Sequence, residues 1–167
     1  GRIAQAMARK AHHGFDMKIV YFNPSPANEY VTDDLQASRC DSIEALMAQA
    51  DFVSLHCPGN DKTKHLINAK NLKLMKPDAH LINTARGDII DTQALIDALK
   101  NQKIAGAGLD VYEGEPNVPE ALLMLDNVSL LPHLGSATLS TRTAMGEKAL
   151  ANLDAFFAGK PLPDQVI

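Results

Sequence analysis

The chain has 167 residues, 46% hydrophobic and 22% charged, with 10 glycines and 9 prolines, which is the make-up of one ordinary globular domain and not of a disulfide miniprotein, a disordered segment or a fibre. Sixteen Lys and Arg stand against twenty Asp and Glu, a net charge of −4, so no basic surplus exists to neutralise a phosphate backbone or an anionic lipid face; nucleic acid and membrane are poor partners. The two cysteines, Cys40 and Cys57, fall in no CxxC or Cys/His ligand spacing, as expected of reduced thiols in a cytoplasmic protein without a metal site. No apolar run approaches the roughly 18 residues of a membrane span, and no signal-peptide pattern opens the chain.

Gly1-Arg2-Ile3-Ala4 runs straight into a helical pattern with neither an initiator Met nor a leading cap segment, which suggests a piece of something longer. Residues 2 to 13 read as a helix with Ile3, Met7 and Ala11 on one face, and Met17 to Phe22 as a short buried strand ended by Asn23-Pro24-Ser25-Pro26. Ser42, with Glu44 in the first turn and Leu46 and Met47 apolar, marks a short helix before a strand over Asp51 to His56. A helix over Asn68 to Met75 stops before Pro77, a strand covers Ala79 to Asn83, and Asp91 to Lys100 carries Ala94, Leu95, Ala98 and Leu99 at helical spacing. Strands over Ile104 to Leu109 and Val128 to Leu131, a long helix over about Thr138 to Phe157 and a Pro-rich tail from Gly159 complete the order. Short apolar strands alternating with helices argue for an α/β fold with a doubly wound parallel sheet. Ligands of such sheets sit outside the carboxyl ends of the strands.

The residues just past those ends are therefore the candidates. Gly1 before a helix is either a turn residue or the end of a G-x-G-x-x-[G/A] loop whose helix N-terminus faces a pyrophosphate. Asn23 stands where a dinucleotide-binding unit meets the adenosine ribose, and is equally an Asn-Pro turn former. His56-Cys57-Pro58 begins a loop that Pro58 makes a rigid wall, running on to Thr63. Arg86, before Gly87, can offer a planar fork to a carboxylate or pair with Asp88 or Asp91 on the surface. Asp110, Glu113, Glu115 and His133 follow two later strands. Arg, Asp, Glu and His beyond different strands of one sheet make the constellation of an acid/base site.

Asn83-Thr84-Ala85-Arg86-Gly87 with Asp91, then Gly106-Ala107-Gly108-Leu109-Asp110-Val111-Tyr112-Glu113-Gly114-Glu115-Pro116, then Pro132-His133-Leu134-Gly135-Ser136-Ala137-Thr138 resemble the nucleotide-binding domain of the D-isomer-specific 2-hydroxyacid dehydrogenases, over nearly the whole chain. The stretch Ala11 to Met17 and the ending Pro132 to Thr138 resemble most the bacterial glyoxylate/hydroxypyruvate (2-ketogluconate) reductases. The resemblance implies a Rossmann-like sheet, a catalytic set of Arg86, Glu115 and His133, NAD with NADP possible, and a small 2-oxo or 2-hydroxy acid as substrate. Arg86 would hold the substrate's carboxylate and carbonyl and His133 would be the acid/base. Glu115, by its spacing of 29 residues from Arg86, would buttress the imidazole, so that Glu113→Ala should cost little. The implied cofactor contacts are Gly1, Arg2, Ile3, Asn23, Cys57, Pro58, Thr63, Thr84, Ala85, Arg86, Asp110, His133, Gly135 and Ser136.

The resemblance also implies a strand ahead of Gly1 at the centre of the sheet, a dinucleotide-binding part over residues 1–137, and a C-terminal helix and tail over 138–167 returning to a substrate domain. On that reading the 167 residues alone should not turn over, and the intact enzyme would be a homodimer. The family's usual ribose-binding Asp is here Asn23, which removes repulsion of a 2′-phosphate without adding a cation; the nearest later base is Arg39, and weak discrimination leaning to NADH is expected. A non-catalytic dinucleotide-sensing module of the corepressor type would not need Arg86, Glu115 and His133 together, and formate dehydrogenase carries Gln where Glu115 stands.

Overall fold

A computed structural model describes residues 1–25 and 30–166; Pro26, part of the turn expected after the first strand, lies outside them. The first helix, α1 (Arg2–Phe15), ends where Asp16 turns left-handed with φ 54°. Its expected face exists as a stripe but is not buried: Ile3 is 73% and Met7 44% exposed, and no residue of α1 enters the core cluster. Strand β1 is shorter than expected, Val20–Tyr21, because its partner β2 (Ser38–Arg39) offers only two residues for pairing. The second helix, α2 (Ile43–Gln49), begins as its cap dictates, with Ser42 Oγ accepting from Ala45 N at 3.1 Å.

Strands β3 (Phe52–Leu55), β4 (His80–Asn83), β5 (Gly106–Leu109) and β6 (Val128–Leu130) form one parallel sheet in that order. The described strands thus make two sheets rather than one. Helix α3 (Ala69–Leu72) is one turn, half the length expected: Asn68 caps it by accepting from Lys70 N at 3.0 Å, and the chain leaves helical geometry before Pro77. Helix α4 (Thr92–Lys100) has the expected face, with Ala94, Leu95, Ile96, Ala98 and Leu99 buried and Asp91 capping through Ala94 N at 3.1 Å. A short α5 (Glu120–Leu123) precedes β6.

The core is the α/β layer around β3, β4 and β5, with Met47, Ile67, Leu81, Ile89, Leu95, Leu99, Ile104 and Leu122 almost wholly excluded from water. Leu81 lies in the middle of β4, fully buried. Leu81→Ala is expected to cost about 2–5 kcal/mol, read by urea unfolding, since a cavity is left on the buried face of the sheet within the core cluster; a cost under about 1 kcal/mol would show a site that collapses freely.

The chain divides into two compact units, Gly1–Leu131 and Pro132–Ile167. In the second, Thr138 caps α6 (Leu139–Phe157), and the tail folds back on that helix through Asp164, which meets Lys148 Nζ at 2.5 Å and Asn152 Nδ2 at 3.0 Å. Among the described residues no helix is long and apolar enough to cross a membrane.

Candidate active site

The best-defined feature lies past β4. Asn83, 1% exposed, ends that strand, and its side chain wraps the following turn: Oδ1 accepts from Ala85 N at 3.0 Å and Nδ2 donates to Arg86 O at 2.8 Å. A buried amide with its hydrogen bonds made is a rigid post. It presents Thr84, Ala85 and Arg86 at the strand's carboxyl end, with Thr84 and Arg86 exposed. Arg86 Nη1 donates to Ala85 O at 2.6 Å. One of five guanidinium N–H donors is thereby used.

The neighbouring strand β5 pairs in register, Asn83 opposite Leu109, and Asp110 N donates to Asn83 O at 2.9 Å. Asp110 is 4% exposed. Tyr112 is buried, its hydroxyl donating to Leu131 O at 2.7 Å with Leu109 O at 3.2 Å. Burial pushes the Tyr112 phenol above its ordinary value, so it stays a donor. The two loop carboxylates then part. Glu115 is exposed and accepts from Tyr112 N at 2.9 Å. Glu113 turns to His65 Nε2 at 2.9 Å and Thr92 Oγ1 at 3.0 Å, one oxygen to each. The His65 hydrogen bond, above all, holds Glu113 below the usual carboxylate range. The sequence offers a solvated charge at Glu113, whose replacement by alanine should cost little; the fold gives it two partners, so that expectation of a small cost no longer follows.

Past β3, Ser54 Oγ lies 3.0 Å from His56 Nε2, and burial lowers the His56 imidazole from its ordinary value. Burial raises the Cys57 thiol above its ordinary value, which favours its neutral form. Thr63 spends its hydroxyl inside the loop, donating to Pro58 O at 2.6 Å and accepting from Asn60 N at 3.0 Å. Gly1 starts α1 without a side-chain cap, and no acid stands in the first turn. Those free N–H groups with Arg2 and Ile3 suit an anion, as a pyrophosphate loop requires. Asn23 donates from Nδ2 to Ser25 O at 2.9 Å, the turn-forming use of that amide. Arg39, in β2, donates from Nη2 to Asn23 O at 3.1 Å and to Pro24 O at 3.3 Å. A cation therefore stands beside Asn23, and it is Arg39, the nearest later base in the sequence.

In the second unit His133 is exposed and held at φ 55°, a backbone state uncommon for a residue with a Cβ and of the kind that collects at functional sites. Gly135 and Ser136 follow, the latter half-buried. Asn83 is the positioning residue that the sequence offers only as the start of a motif, although an Asn bonding the backbone N–H two residues on is an Asx-turn signal.

The chain matches the family described as D-isomer specific 2-hydroxyacid dehydrogenase, NAD binding domain, over residues 1–135. It is 49% identical over 166 residues to the glyoxylate reductase of Thermococcus litoralis, covering 99% of this chain and 49% of that one. It is 47% identical over 161 residues to glyoxylate/hydroxypyruvate reductase B of Enterobacter agglomerans, covering 96% and 49%. Holo D-mandelate dehydrogenase of Rhodotorula graminis superposes with a TM-score of 0.95 at 40% identity, covering 99% of this chain and 48% of that one. The NADPH-dependent glyoxylate/hydroxypyruvate reductase of Sinorhizobium meliloti, in complex with NADP and malonate, superposes at 0.87 with 39% identity, covering 100% and 53%. The chain spans about half the length of the curated relatives it matches.

Proposed function

The chain belongs to the D-isomer-specific 2-hydroxyacid dehydrogenases, as an NAD-binding domain of that family, and from this premise we propose that the protein reduces a small 2-oxo acid of the glyoxylate/hydroxypyruvate type to its D-2-hydroxy acid. The observation that carries the reading is Arg86 standing beyond β4 and Asp110 and Glu115 beyond β5, on paired parallel strands, in a chain 49% identical to a glyoxylate reductase. No relative named above is a non-catalytic sensing module.

A bound NAD(P)H supplies the hydride for the 2-oxo carbon. The chain's own residues do the rest. The uncapped start of α1, with Arg2 and Ile3, receives the pyrophosphate. Asn23 faces the adenosine ribose, and Cys57, Pro58, Thr63, Thr84, Ala85 and Asp110 line the nicotinamide side with Gly135 and Ser136. Arg86 grips the substrate carboxylate with its planar fork and offsets the charge that grows on the carbonyl oxygen. His133, as the general acid, gives a proton to that oxygen. Glu115 buttresses the imidazole, the role that the family resemblance gives it. The proposed organisation is a dinucleotide-binding part over 1–137 and a returning helix and tail over 138–167, in a cytoplasmic homodimer.

The test is oxidation of NADH or NADPH by the intact protein with glyoxylate and hydroxypyruvate. Turnover of about 1 to 1000 per second is expected, and none with any 2-oxo acid would refute the reading. Weak cofactor discrimination is part of the proposal. Asn23 does not repel a 2′-phosphate, and Arg39 holds a cation against the Asn23 carbonyl. The kcat/KM values for NADH and NADPH are expected within about 100-fold of each other, or about 2.7 kcal/mol. Asn23→Asp should move the ratio toward NADH; an unchanged ratio would remove Asn23 from the ribose.

A further inference from the structure

We propose that His65, Glu113 and Thr92 form a positioning clamp that ties the loops after β3, β4 and β5 into one closed circuit and thereby fixes where Arg86 and Glu115 stand. The inference rests on the functional reading above for what the clamp serves, and on geometry alone for its existence.

The circuit can be followed bond by bond. The loop after β3 reaches His65, whose backbone N–H donates to Asp88 O at 2.8 Å; Ile67 N donates to Ile89 O at 3.0 Å, and Asp91 N returns to Ile67 O at 2.9 Å. The segment just after Arg86 is thus paired to the segment just after His65, as the parallel bridge between Ile67 and Ile90 records. Gly87 then abuts the next loop. A Cβ there would collide with the backbone carbonyl of Tyr112 and with the Glu113 nitrogen, so only glycine lets the Arg86 turn lie directly on the 112–113 peptide. The carboxylate of Glu113 closes the path by accepting from His65 Nε2 at 2.9 Å and, through its other oxygen, from Thr92 Oγ1 at 3.0 Å. Thr92 is the first residue of α4, whose face is part of the core. The circuit is anchored to a rigid element.

Two features mark the clamp as more than a chance surface pair. Each carboxylate oxygen of Glu113 has its own donor, and His65 holds φ at 49°, a left-handed state disfavoured for a residue with a Cβ. That backbone state is retained together with a side-chain bond to a residue far along the chain. From Glu113 the chain reaches Glu115 in two residues, while Tyr112, whose N–H binds Glu115, lies on the other side. From Gly87, Arg86 is adjacent. None of the three clamp residues belongs to the proposed reacting set. Their effect runs through position, and a displacement of about 1 Å in a reacting geometry can cost on the order of 100-fold.

The test compares His65→Ala with His65→Gln in the intact protein, since glutamine keeps an N–H donor at similar reach. His65→Ala is expected to lower kcat/KM for the 2-oxo acid by about 10- to 100-fold, shared between kcat and KM, while the NADH dissociation constant, read by nicotinamide fluorescence, stays within about twofold. His65→Gln should recover most of the loss. Amide exchange at Ile89 and Ile90 supplies a readout independent of any reaction: it should accelerate in His65→Ala and return toward the wild-type rate in His65→Gln. A protein that reduces no 2-oxo acid would overturn the functional reading and leave the exchange measurement to decide the clamp. Unchanged exchange in His65→Ala, or a glutamine variant as impaired as the alanine one, would overturn the clamp.

Discussion

Replacing His133 by alanine is expected to lower 2-oxo acid turnover by about 100- to 10,000-fold, the usual contribution of a positioned general acid or base. Arg86→Ala should fall by at least as much, for a different reason. On the proposed function it would remove both the fork for the carboxylate and the charge beside the carbonyl oxygen. Neither change should unfold the protein. Arg86 is exposed, and its side chain donates to the adjacent Ala85 carbonyl, while the turn itself is held by Asn83. The melting temperature should therefore stay near that of the wild type while activity is lost, which separates chemistry from stability. Arg86→Lys should restore only part of the loss, because an ammonium is a point donor and not a planar fork. Steady-state kinetics with glyoxylate decide it, and a variant at either position within about tenfold of wild type would remove that residue from its role.

Gly87→Ala should be the most damaging single methyl in the first unit. The added carbon would occupy the space of the Tyr112 carbonyl and the Glu113 nitrogen, and those atoms are backbone, unable to rotate aside. One of the two loops has to move. Overpacking of this kind typically costs about 1–3 kcal/mol, and here the loops that would shift carry Arg86 and Glu115. A lowered melting temperature together with a loss of turnover near that of Arg86→Ala is expected. Wild-type stability and turnover would mean that the loops part freely.

Much of this architecture is legible in the chain because the signals are local. Ser42 and Asp91 each bond a backbone N–H three residues on, and the face of α4 repeats with the helical period. What escapes notice is held from a distance. Ser38 and Arg39 form β2 with no apolar pattern to announce it, both being exposed, and only the pairing with β1 makes them a strand. Residues 120 to 123 form one turn after Pro119, too short for a period to register. The stripe of α1 is visible in sequence, yet none of its residues belongs to the core cluster around β3 to β5. Arg86 is legible as a candidate because it follows a strand directly. Glu113 looks like a solvated loop charge because its partner His65 is 48 residues away, and no spacing rule connects them.

The composition of β5 has a consequence for how the protein reaches this state. Gly106-Ala107-Gly108 has almost no intrinsic reason to extend, since glycine and alanine are poor strand formers. Its backbone is instead pressed between neighbours: a Cβ on Gly106 would meet Asn127 O at 2.8 Å and the His80 ring at 3.1 Å. The order of β5 is therefore borrowed from β4 and β6, to which it pairs in parallel. Both partners are distant in sequence, so loop-closure entropy must be overcome before any hydrogen bond of this strand can form. Until then β4 and β6 present open edges to other molecules. The refolding chain is most prone to mispairing in this interval, and the rate at which β5 inserts limits how long the interval lasts.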